Sequence, residues 1–244
     1  AVRAGIRQVV LITNPENKLT ASHFSTDPVL EAALTEKDKP ELLATLRALA
    51  AMADVTSLPQ AQPRGLGHAV LCGRHVVGRC PFAVLLPDDV IDAEPTALQQ
   101  MLNVFAEVNG PVLLVERVPR SDVSRYGIIA AEPVRDGVLR VTDLVEKPDP
   151  DKAPSEFAVI GRYILTPDIF ELLEQTQVGA DGEMQLTDAL RTMLSVRPIH
   201  ACVLQGTRLD AGTKLGYIKA VLHFALKRPE LGPELKVFIK QLLG

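Results

Sequence analysis

The sequence has no tryptophan, only three cysteines among its 244 residues and no long apolar run. Cys72, Cys80 and Cys202 are too few and too scattered for a disulfide scaffold or a CxxC zinc site, and an odd number is typical of a reducing compartment. We therefore expect a cytoplasmic protein. Apolar stretches such as Phe82–Leu86 fall far short of the roughly 20 residues that span a bilayer, and the opening residues contain no signal-peptide apolar region. No membrane partner is expected.

The sequence also lacks an excess of basic residues. It has 26 Lys and Arg against 30 Asp and Glu, a formal net charge of −4, so an extended phosphate backbone would be repelled on average. Nucleic acid is therefore not an expected partner. With 47% hydrophobic and 23% charged residues and no biased tract, the composition is that of an ordinary globular protein.

Short β-branched and leucine-rich runs alternate with helical patterns, which predicts an α/β protein with a mostly parallel, mixed sheet covered by helices. Continuous apolar runs indicate strands buried on both faces, whereas VLRVTDLVE nearly alternates and suits an antiparallel or edge strand. The predicted strands are Gln8–Thr13, Val55–Leu58, Phe82–Leu86, Val112–Val118, Ile128–Ala131, Val138–Glu146, Ala158–Leu165 and His200–Leu204. No repeat, linker or composition break divides residues 1–244, so a single domain is expected.

Helix positions follow from end signals and periodicity. The pairs Asp27-Pro28 and Thr166-Pro167 each put a capping side chain before a proline, which is favoured at the first helical position. Residues Lys214–Lys227 carry apolar side chains at helical spacing and predict an amphipathic helix packed on the core. A further short helix is expected after Pro233.

The start of the chain has the pattern of the last turn of a helix, with Gly5 as its C-terminal glycine, followed by a core strand. A core strand needs neighbours that satisfy its backbone groups and cover its apolar faces. We therefore expect an upstream strand and helix.

Acidic residues follow two of the apolar strands. Asp88 and Asp89 come directly after Leu86, and Asp210 follows the run HACVL and precedes a long helix. Open α/β sheets bind ligands beyond the carboxyl ends of their strands, and Mg²⁺ with phosphate ligands uses one or two carboxylates. Asp88 and Asp210 are therefore candidates to share one Mg²⁺. The alternative for each aspartate is a capping role in the following turn or helix.

The segment GLGHAV, which begins at Gly65, superficially resembles a dinucleotide-binding fingerprint. A prolyl loop precedes it in place of a strand, and Val70 occupies its sixth position, so that interpretation is rejected. As a helix start it offers free backbone N–H groups and, at its glycines, room for a base or a phosphate. A simple turn into a helix is the alternative.

Glu146 and Lys147 end another predicted strand. Glu146 is suited to accept hydrogen bonds from sugar hydroxyls and Lys147 to neutralise a phosphate, the alternative being an exposed strand end without a role.

The five histidines have no paired metal spacing, and neither a GxSxG nor a Cys–His signature is present. The sequence therefore gives little support to a zinc enzyme or a hydrolase.

Taken in order, GLGHAV, LLPDD, YGI, VEKP, AVIGRY, GEMQLTDAL and LDAGTKLGY resemble the motif set of the bacterial UTP–glucose-1-phosphate uridylyltransferases, a family of sugar-nucleotide pyrophosphorylases. The resemblance runs from about Gly5 nearly to the C-terminus. It implies a Rossmann-like nucleotidyltransferase fold, UTP and glucose 1-phosphate as substrates, Mg²⁺ as cofactor, UDP-glucose and pyrophosphate as products, and a homo-oligomer.

The resemblance also implies roles for individual residues. The implied substrate contacts are Gln60 and Gly65 at the uracil, Gly127, Glu146 and Val159 at the glucose, and Lys147 at the sugar phosphate. Asp88 and Asp210 are the implied metal ligands, and Asp88 and Lys147 the implied catalytic residues. Glu183 is either a further residue of the sugar pocket or a carboxylate at a helix start.

The expected reaction is an in-line attack of a glucose 1-phosphate oxygen on the α-phosphorus of UTP, which needs positioning and charge neutralisation but no general base. The family opens with a strand and a glycine-rich loop, GxGTRxxPxTK, that cradles the triphosphate, and this sequence contains no such segment. A unit on the order of 30–40 residues is therefore expected to be absent. The chain alone is expected to be poorly active.

Two alternatives of other classes stay open at this point. One is a catalytically inactive relative that binds sugar nucleotide or regulates an active enzyme, which the absent loop favours and the retained Asp88, Lys147 and Asp210 disfavour. The other is a metal-dependent glycosyltransferase that uses Asp88 and Asp89 on a UDP-sugar. The sequence also leaves open glucose against galactose 1-phosphate, and UTP against dTTP.

Overall fold

The computed structural model describes residues 1–16, 22–179 and 182–244. The strands in these ranges are β1 (Gln8–Thr13), β2 (Asp54–Pro59), β3 (Phe82–Leu85), β4 (Asp89–Asp92), β5 (Val112–Arg117), β6 (Gly127–Arg135), β7 (Val138–Glu146), β8 (Phe157–Leu165), β9 (His200–Val203) and β10 (Thr207–Asp210). The α-helices are α1 (Pro28–Glu36), α2 (Pro40–Ala50), α3 (Leu66–Cys72), α4 (Arg74–Val77), α5 (Ala97–Val108), α6 (Ile169–Gln175), α7 (Leu186–Met193), α8 (Lys214–Lys227) and α9 (Gly232–Leu243). Single 3-10 segments cover Val2–Ala4 and Arg120–Arg125.

The central sheet has six strands in the order β3-β8-β5-β9-β7-β6. Only β5 and β9 are parallel neighbours within it, and its other described pairings are antiparallel. The α/β class and the mixed sheet are confirmed, but the prediction of a mostly parallel arrangement is wrong for this sheet. Continuous apolar runs report burial on both faces, and they carry no information on the direction of the neighbouring strand.

Helices cover both faces of the central sheet. Alternate residues of β5 enter two different cores: Leu113 and Val115 pack with α6 and α7, whereas Val112 and Leu114 pack with α5. This period-2 division explains why β5 is apolar throughout. No helix in the described part of the chain has the length and apolar character needed to span a membrane.

Two small ribbons accompany the central sheet. Strands β1 and β2 pair in parallel, and β4 pairs with β10 in antiparallel fashion, with Asp210 opposite Asp89. Strands β4 and β10 were not predicted because each has only four residues, two of which are charged. Their pairing is nevertheless what brings the two acidic segments together.

Most helix predictions are confirmed, with one error at a helix start. The Asp27 carboxylate accepts hydrogen bonds from the N–H groups of Val29 and Leu30, so it caps α1. Thr166 does not cap α6, because that helix begins at Ile169 and the buried Thr166 hydroxyl has no hydrogen-bond partner among the described residues. A proline after a capping residue thus marked the helix but not its first residue.

Helix α8 has the predicted position but not the predicted packing, and the helix expected after Pro233 is α9, which begins at Gly232. Helix α8 spans Lys214–Lys227 as expected, yet Leu215 is 62% and Ile218 54% exposed, and only Ala220 of this helix is buried. The prediction that its apolar face packs on the core is therefore wrong. Periodicity identifies an apolar face, but it does not tell what covers that face.

Candidate functional site

An open cleft of about 260 Å³ lies where the start of β6, the end of β7, the middle of β8, the start of α7 and the β4–β10 ribbon meet. Five of the eight residues predicted for the site line it: Asp88, Gly127, Glu146, Val159 and Asp210. These residues come from distant parts of the sequence, so the fold gathers most of the predicted site in one cleft.

The carboxylates of Asp88 and Asp210 converge above Gly212. The N–H of Ala211 donates to the backbone oxygen of Asp88 at 2.7 Å, which extends the β4–β10 pairing beyond Asp210. A Cβ at position 212 would lie 3.0 Å from Oδ2 of Asp88 and 3.2 Å from Oδ1 of Asp210. Glycine therefore keeps free a space that two carboxylates border.

This donor set fits a divalent cation of the Mg²⁺ type. Among the described residues no three acidic, histidine or cysteine side chains form a complete metal cluster. Mg²⁺ commonly binds one or two carboxylates and takes its other ligands from water and substrate phosphates. Two carboxylates at an open cleft are what such a site requires of the protein.

A buried ion pair fixes the β4–β10 ribbon. The Arg208 guanidinium donates to Oδ1 of Asp89, and its Nη1 donates to Oε1 of Glu116 at 2.8 Å. The Arg208 and Asp89 side chains are only 7% and 9% exposed. The other oxygen of Asp89 accepts the N–H of Gly161 at 2.8 Å. Asp89 is thus fully engaged in the interior, unlike the exposed Asp88.

Electrostatics keep Arg208 charged in this position. Burial alone would lower the pKa of its guanidinium, but the hydrogen bond to Tyr126 and the charge of Asp89 outweigh burial, so the pKa is raised. Arg208 was not among the site residues predicted from the sequence. A signal was present, because Arg208 stands two residues before Asp210 and hence on the same face of a strand.

Gly127, Glu146 and Thr187 form a polar corner of the cleft. Gly127 opposes Glu146 across the β6–β7 ladder, and the Thr187 hydroxyl at the start of α7 donates to Oε2 of Glu146 at 2.7 Å. A Cβ at Gly127 would lie 3.2 Å from that oxygen and from the Thr187 hydroxyl. The missing side chain leaves one face of the carboxylate open to the cleft. Thr187 lies in the GEMQLTDAL segment but was not among the residues predicted for the site.

The β8 strand supplies the floor of the cleft through Val159 and Tyr163. Both side chains are buried in the core around them. Burial, followed by the charges of Glu146 and Asp89, raises the pKa of the Tyr163 phenol. Tyr163 is therefore a neutral, protonated wall of the cleft over the working pH range.

Lys147 lies at the edge of the cleft and does not line it. Its backbone has a positive φ of 43°, and its N–H donates to the Tyr126 oxygen at 2.9 Å. The Nζ atom is 3.6 Å from Oε1 of Glu146, and more than half of the side chain is exposed. The ammonium group is thus free to reach a ligand in the cleft while it stays next to Glu146.

Gln60 and Gly65 contact each other beside the cleft. Nε2 of Gln60 donates to the Gly65 oxygen at 3.1 Å and lies 3.0 Å from Nδ1 of His68. Gly65 has a φ of 89°, and a Cβ there would lie 2.9 Å from Cβ of Glu183. Glu183 therefore packs against the start of α3 and is not among the residues that line the cleft.

Comparison with known proteins gives a consistent result. The family model described as "Nucleotidyl transferase" matches residues 1–226. The chain is 40% identical over 244 residues to a UTP–glucose-1-phosphate uridylyltransferase of Bacillus subtilis and 39% identical over 242 residues to one of Staphylococcus epidermidis. These alignments cover 100% and 99% of this chain and 84% of each relative.

Solved structures agree with the sequence comparisons. The UTP-bound UGPase from Acinetobacter baumannii superposes with a TM-score of 0.89 at 39% identity, over 99% of this chain and 85% of that one. A UDP-glucose pyrophosphorylase complexed with UDP-glucose superposes with a TM-score of 0.83 at 37% identity, over 93% of this chain and 83% of that one.

We expect Arg208→Met to lower the free energy of unfolding by about 3–5 kcal/mol, because it leaves the buried Asp89 carboxylate without its partner. The matched control is Arg140→Met, which breaks an ion pair with Glu132 whose side chains are 55% and 63% exposed. The control should lose less than about 1 kcal/mol. Urea unfolding measures both changes, and equal small losses would contradict a buried pair that fixes the ribbon.

Proposed function

Because the chain belongs to the nucleotidyl transferase family and, within it, to the UTP–glucose-1-phosphate uridylyltransferases, we propose that it transfers UMP from UTP to glucose 1-phosphate. The products are UDP-glucose and pyrophosphate. The observation that carries this proposal is the convergence of Asp88 and Asp210 in the cleft that also holds the Gly127–Glu146–Thr187 corner. One cleft thus combines a place for a divalent cation with acceptors for sugar hydroxyls.

In this proposal Asp88 and Asp210 hold Mg²⁺. The cation, when bound, neutralises negative charge on the phosphate oxygens. Asp210 is kept in place by its position at the end of β10, opposite Asp89. Asp88 is kept in place by the hydrogen bond from Ala211 to its backbone oxygen. The protein therefore contributes two carboxylates on a fixed backbone, and the substrates contribute the remaining oxygens.

Glucose 1-phosphate binds at the polar corner in this proposal. Glu146 accepts hydrogen bonds from sugar hydroxyls, Gly127 gives the ring close access to that carboxylate, and Val159 packs against the ring. Lys147 pairs with the sugar phosphate, which its Nζ can reach from the edge of the cleft. Support comes from the open face of Glu146 and from the exposure of the Lys147 ammonium group.

Gln60 and Gly65 contact the uracil in this proposal. The Gln60 amide is already held by the Gly65 oxygen and oriented toward His68, so it is fixed at the start of α3 before a base arrives. Leu66, the next residue, lines the cleft. The base therefore lies at the α3 side of the cleft and the sugar at the β6–β7 side.

The chemistry needs little from the protein beyond position and charge. A phosphate oxygen of glucose 1-phosphate forms a bond to the α-phosphorus of UTP, and the bond from that phosphorus to the bridging oxygen of the β-phosphate breaks. Pyrophosphate leaves with the electron pair of the broken bond. The attacking oxygen is already ionised at neutral pH, so no residue has to remove a proton.

A glycosyltransferase that uses both Asp88 and Asp89 is less well supported. Asp89 is buried, paired with Arg208 and bonded to the N–H of Gly161, so its oxygens are occupied within the protein. A sugar-nucleotide-binding relative without turnover keeps the same cleft. Product analysis separates it from an enzyme.

Oligomerisation and location complete the proposal. Large apolar side chains on α8 and α9 are more than a third exposed: Leu215, Tyr217, Ile218, Val221, Leu222, Val237, Phe238, Leu242 and Leu243. Monomers rarely expose apolar patches above about 300–600 Å², and stable interfaces bury about 800 Å² per partner, so a second copy of the chain is the proposed cover.

A reducing cytoplasm is supported by the three cysteines, which are all unpaired.

The decisive assay for the activity measures pyrophosphate. We expect slow release, because the sequence contains no GxGTRxxPxTK segment to cradle the triphosphate, but release that still requires UTP, glucose 1-phosphate and Mg²⁺ together. Galactose 1-phosphate and dTTP are the comparison substrates. Calorimetric titration with UDP-glucose runs beside it. UDP-glucose binding without any pyrophosphate release would support the binding relative instead, and release of UDP from UDP-glucose would support the glycosyltransferase.

We expect Glu146→Gln to weaken UDP-glucose binding about tenfold, because hydrogen bonds to a charged group contribute about 1.5–3 kcal/mol. The Gln carbonyl still accepts the Thr187 hydroxyl, so the fold is kept. Glu132→Gln, on the same sheet but paired with Arg140 at the surface, is the matched control and should leave the affinity unchanged. An unchanged affinity in Glu146→Gln would remove Glu146 from the sugar contacts.

We expect Ile218→Glu to dissociate the oligomer, because it puts a charge in the centre of the apolar face of α8. The side chain is 54% exposed, so the fold of one chain should survive. Val29→Glu, at an 80% exposed position on α1, is the control. Sedimentation velocity measures the mass of each form, and a monomeric unmodified chain would contradict the proposed interface.

A further inference from the structure

Arg125 lines the cleft but has no part in the reaction as described so far. It is the last residue of the 3-10 segment Arg120–Arg125, and its Nη2 donates to Oδ2 of Asp210 at 2.8 Å. Its guanidinium carbon lies 5.5 Å from the centroid of the Tyr126 ring. The side chain is 48% exposed. Arg125 is thus a cation held directly against a proposed metal ligand.

The contact between Arg125 and Asp210 conflicts with a cation on the same carboxylate. Oδ1 of Asp210 already accepts the N–H of Gly212 at 3.0 Å, and Oδ2 is the oxygen that Arg125 occupies. A divalent ion beside this carboxylate would repel the guanidinium as well as compete for the oxygen. When the cation binds, the hydrogen bond between Arg125 and Asp210 therefore has to break or weaken.

Arg125 is free to leave at small cost, and Arg208 is not. Arg208 is buried and held by Asp89, Glu116 and Tyr126. Among the described residues Arg125 has one ion-pair partner, Asp210, and its side chain is half exposed. Ion pairs near the surface contribute only about 0–1 kcal/mol. The two arginines near Tyr126 thus differ in how firmly they are held: Arg208 fixes the site, and Arg125 can turn.

A phosphate group is the natural second partner for Arg125. Its guanidinium matches phosphate oxygens in a bidentate fork. The backbone also ties Arg125 to the sugar-phosphate side, since the oxygen of the next residue, Tyr126, accepts the N–H of Lys147. Arg125 and Lys147 therefore both stand next to this backbone hydrogen bond, and Arg125 also contacts the carboxylate of Asp210.

We propose that Arg125 is the counter-ion of Asp210 in the metal-free cleft and turns onto the phosphate of glucose 1-phosphate when a divalent cation takes that carboxylate. The inference rests on the proposed function, to which it adds a residue and a coupling. Before the exchange Arg125 offsets the charge of Asp210, and afterwards it offsets the charge of the phosphate. The cation and the sugar phosphate therefore strengthen each other's binding, and by linkage the strengthening is equal in both directions.

The test compares Arg125→Gln with Arg120→Gln. Both lose one positive charge from the same 3-10 segment, but Arg120 bonds to the backbone oxygen of Ser155 and is not among the residues that line the cleft. Mn²⁺ alone is titrated first, with free Mn²⁺ measured by electron paramagnetic resonance. We expect Arg125→Gln to bind Mn²⁺ about two- to fivefold more tightly than the unmodified chain, because the competitor is gone, and Arg120→Gln to bind as the unmodified chain does.

Glucose 1-phosphate is then titrated calorimetrically at saturating Mn²⁺. Here we expect Arg125→Gln to bind about tenfold more weakly and Arg125→Lys to recover part of the loss, since lysine keeps the charge without the fork. Unchanged or weaker Mn²⁺ binding in Arg125→Gln would overturn the counter-ion role. Unchanged glucose 1-phosphate binding would overturn the phosphate role.

The Mn²⁺ titration also keeps this inference separate from the proposed function. If the unmodified chain does not bind glucose 1-phosphate at all, the proposed function fails. The comparison of Mn²⁺ affinities still decides whether Arg125 competes for Asp210.

Discussion

The buried ion pair between Arg208 and Asp89 is the contact on which the candidate site depends. It joins the two strands of the β4–β10 ribbon, and each partner stands within two residues of a proposed metal ligand. A buried pair is a weak source of stability, because removing two charges from water costs about as much as their attraction returns. Its value here is positional: the exposed Asp88 and the half-buried Asp210 point into one cleft because their neighbours in the chain are fixed in the interior.

One side of the cleft is built from buried, fixed side chains and the other from half-exposed side chains that can move. On the rigid side, Arg208, Asp89 and the Gly161 N–H hold the ribbon against β8. On the adaptable side, Arg125 and Lys147 are about half exposed, and each pairs with a carboxylate, Asp210 or Glu146, that ligands are proposed to use. Because Arg125 and Lys147 pair with these carboxylates, the charges in the cleft nearly balance before substrates bind. Both cationic side chains become available to phosphate groups once the carboxylates bind a metal ion or a sugar. The two anionic substrates can then bind side by side, although the cleft has no large excess of positive charge before they arrive.

Sequence patterns identified the acidic strand ends and the course of the fold, but not the contacts that make them a site. Asp88, Asp210, Glu146 and Lys147 were found because they follow apolar strands, where open α/β sheets bind ligands, and because their charges suit a metal ion, sugar hydroxyls or a phosphate. Arg208 was missed because it lies in a four-residue strand, and its importance depends on a partner 119 positions away. The relative directions of the strands and the exposure of the apolar face of α8 were mispredicted for a related reason. Apolar periodicity identifies a surface that is suited to burial, but it does not identify the element that covers that surface. Gln60, Gly127 and Val159 came from family resemblance alone, since their residue types carry no chemical signal of their own.

The metal site on Asp88 and Asp210 is the central claim, and the position of one bound ion tests it most directly. Crystals of the chain grown with UDP-glucose and Mn²⁺ would reveal that ion by its anomalous scattering, without dependence on turnover. We expect a single strong peak within coordinating distance of both carboxylates, beside Gly212, with Asp89 still paired to Arg208. An ordered UDP-glucose whose Mn²⁺ peak lies on Asp89, on Glu146 or away from the β4–β10 ribbon would contradict a site built on this pair.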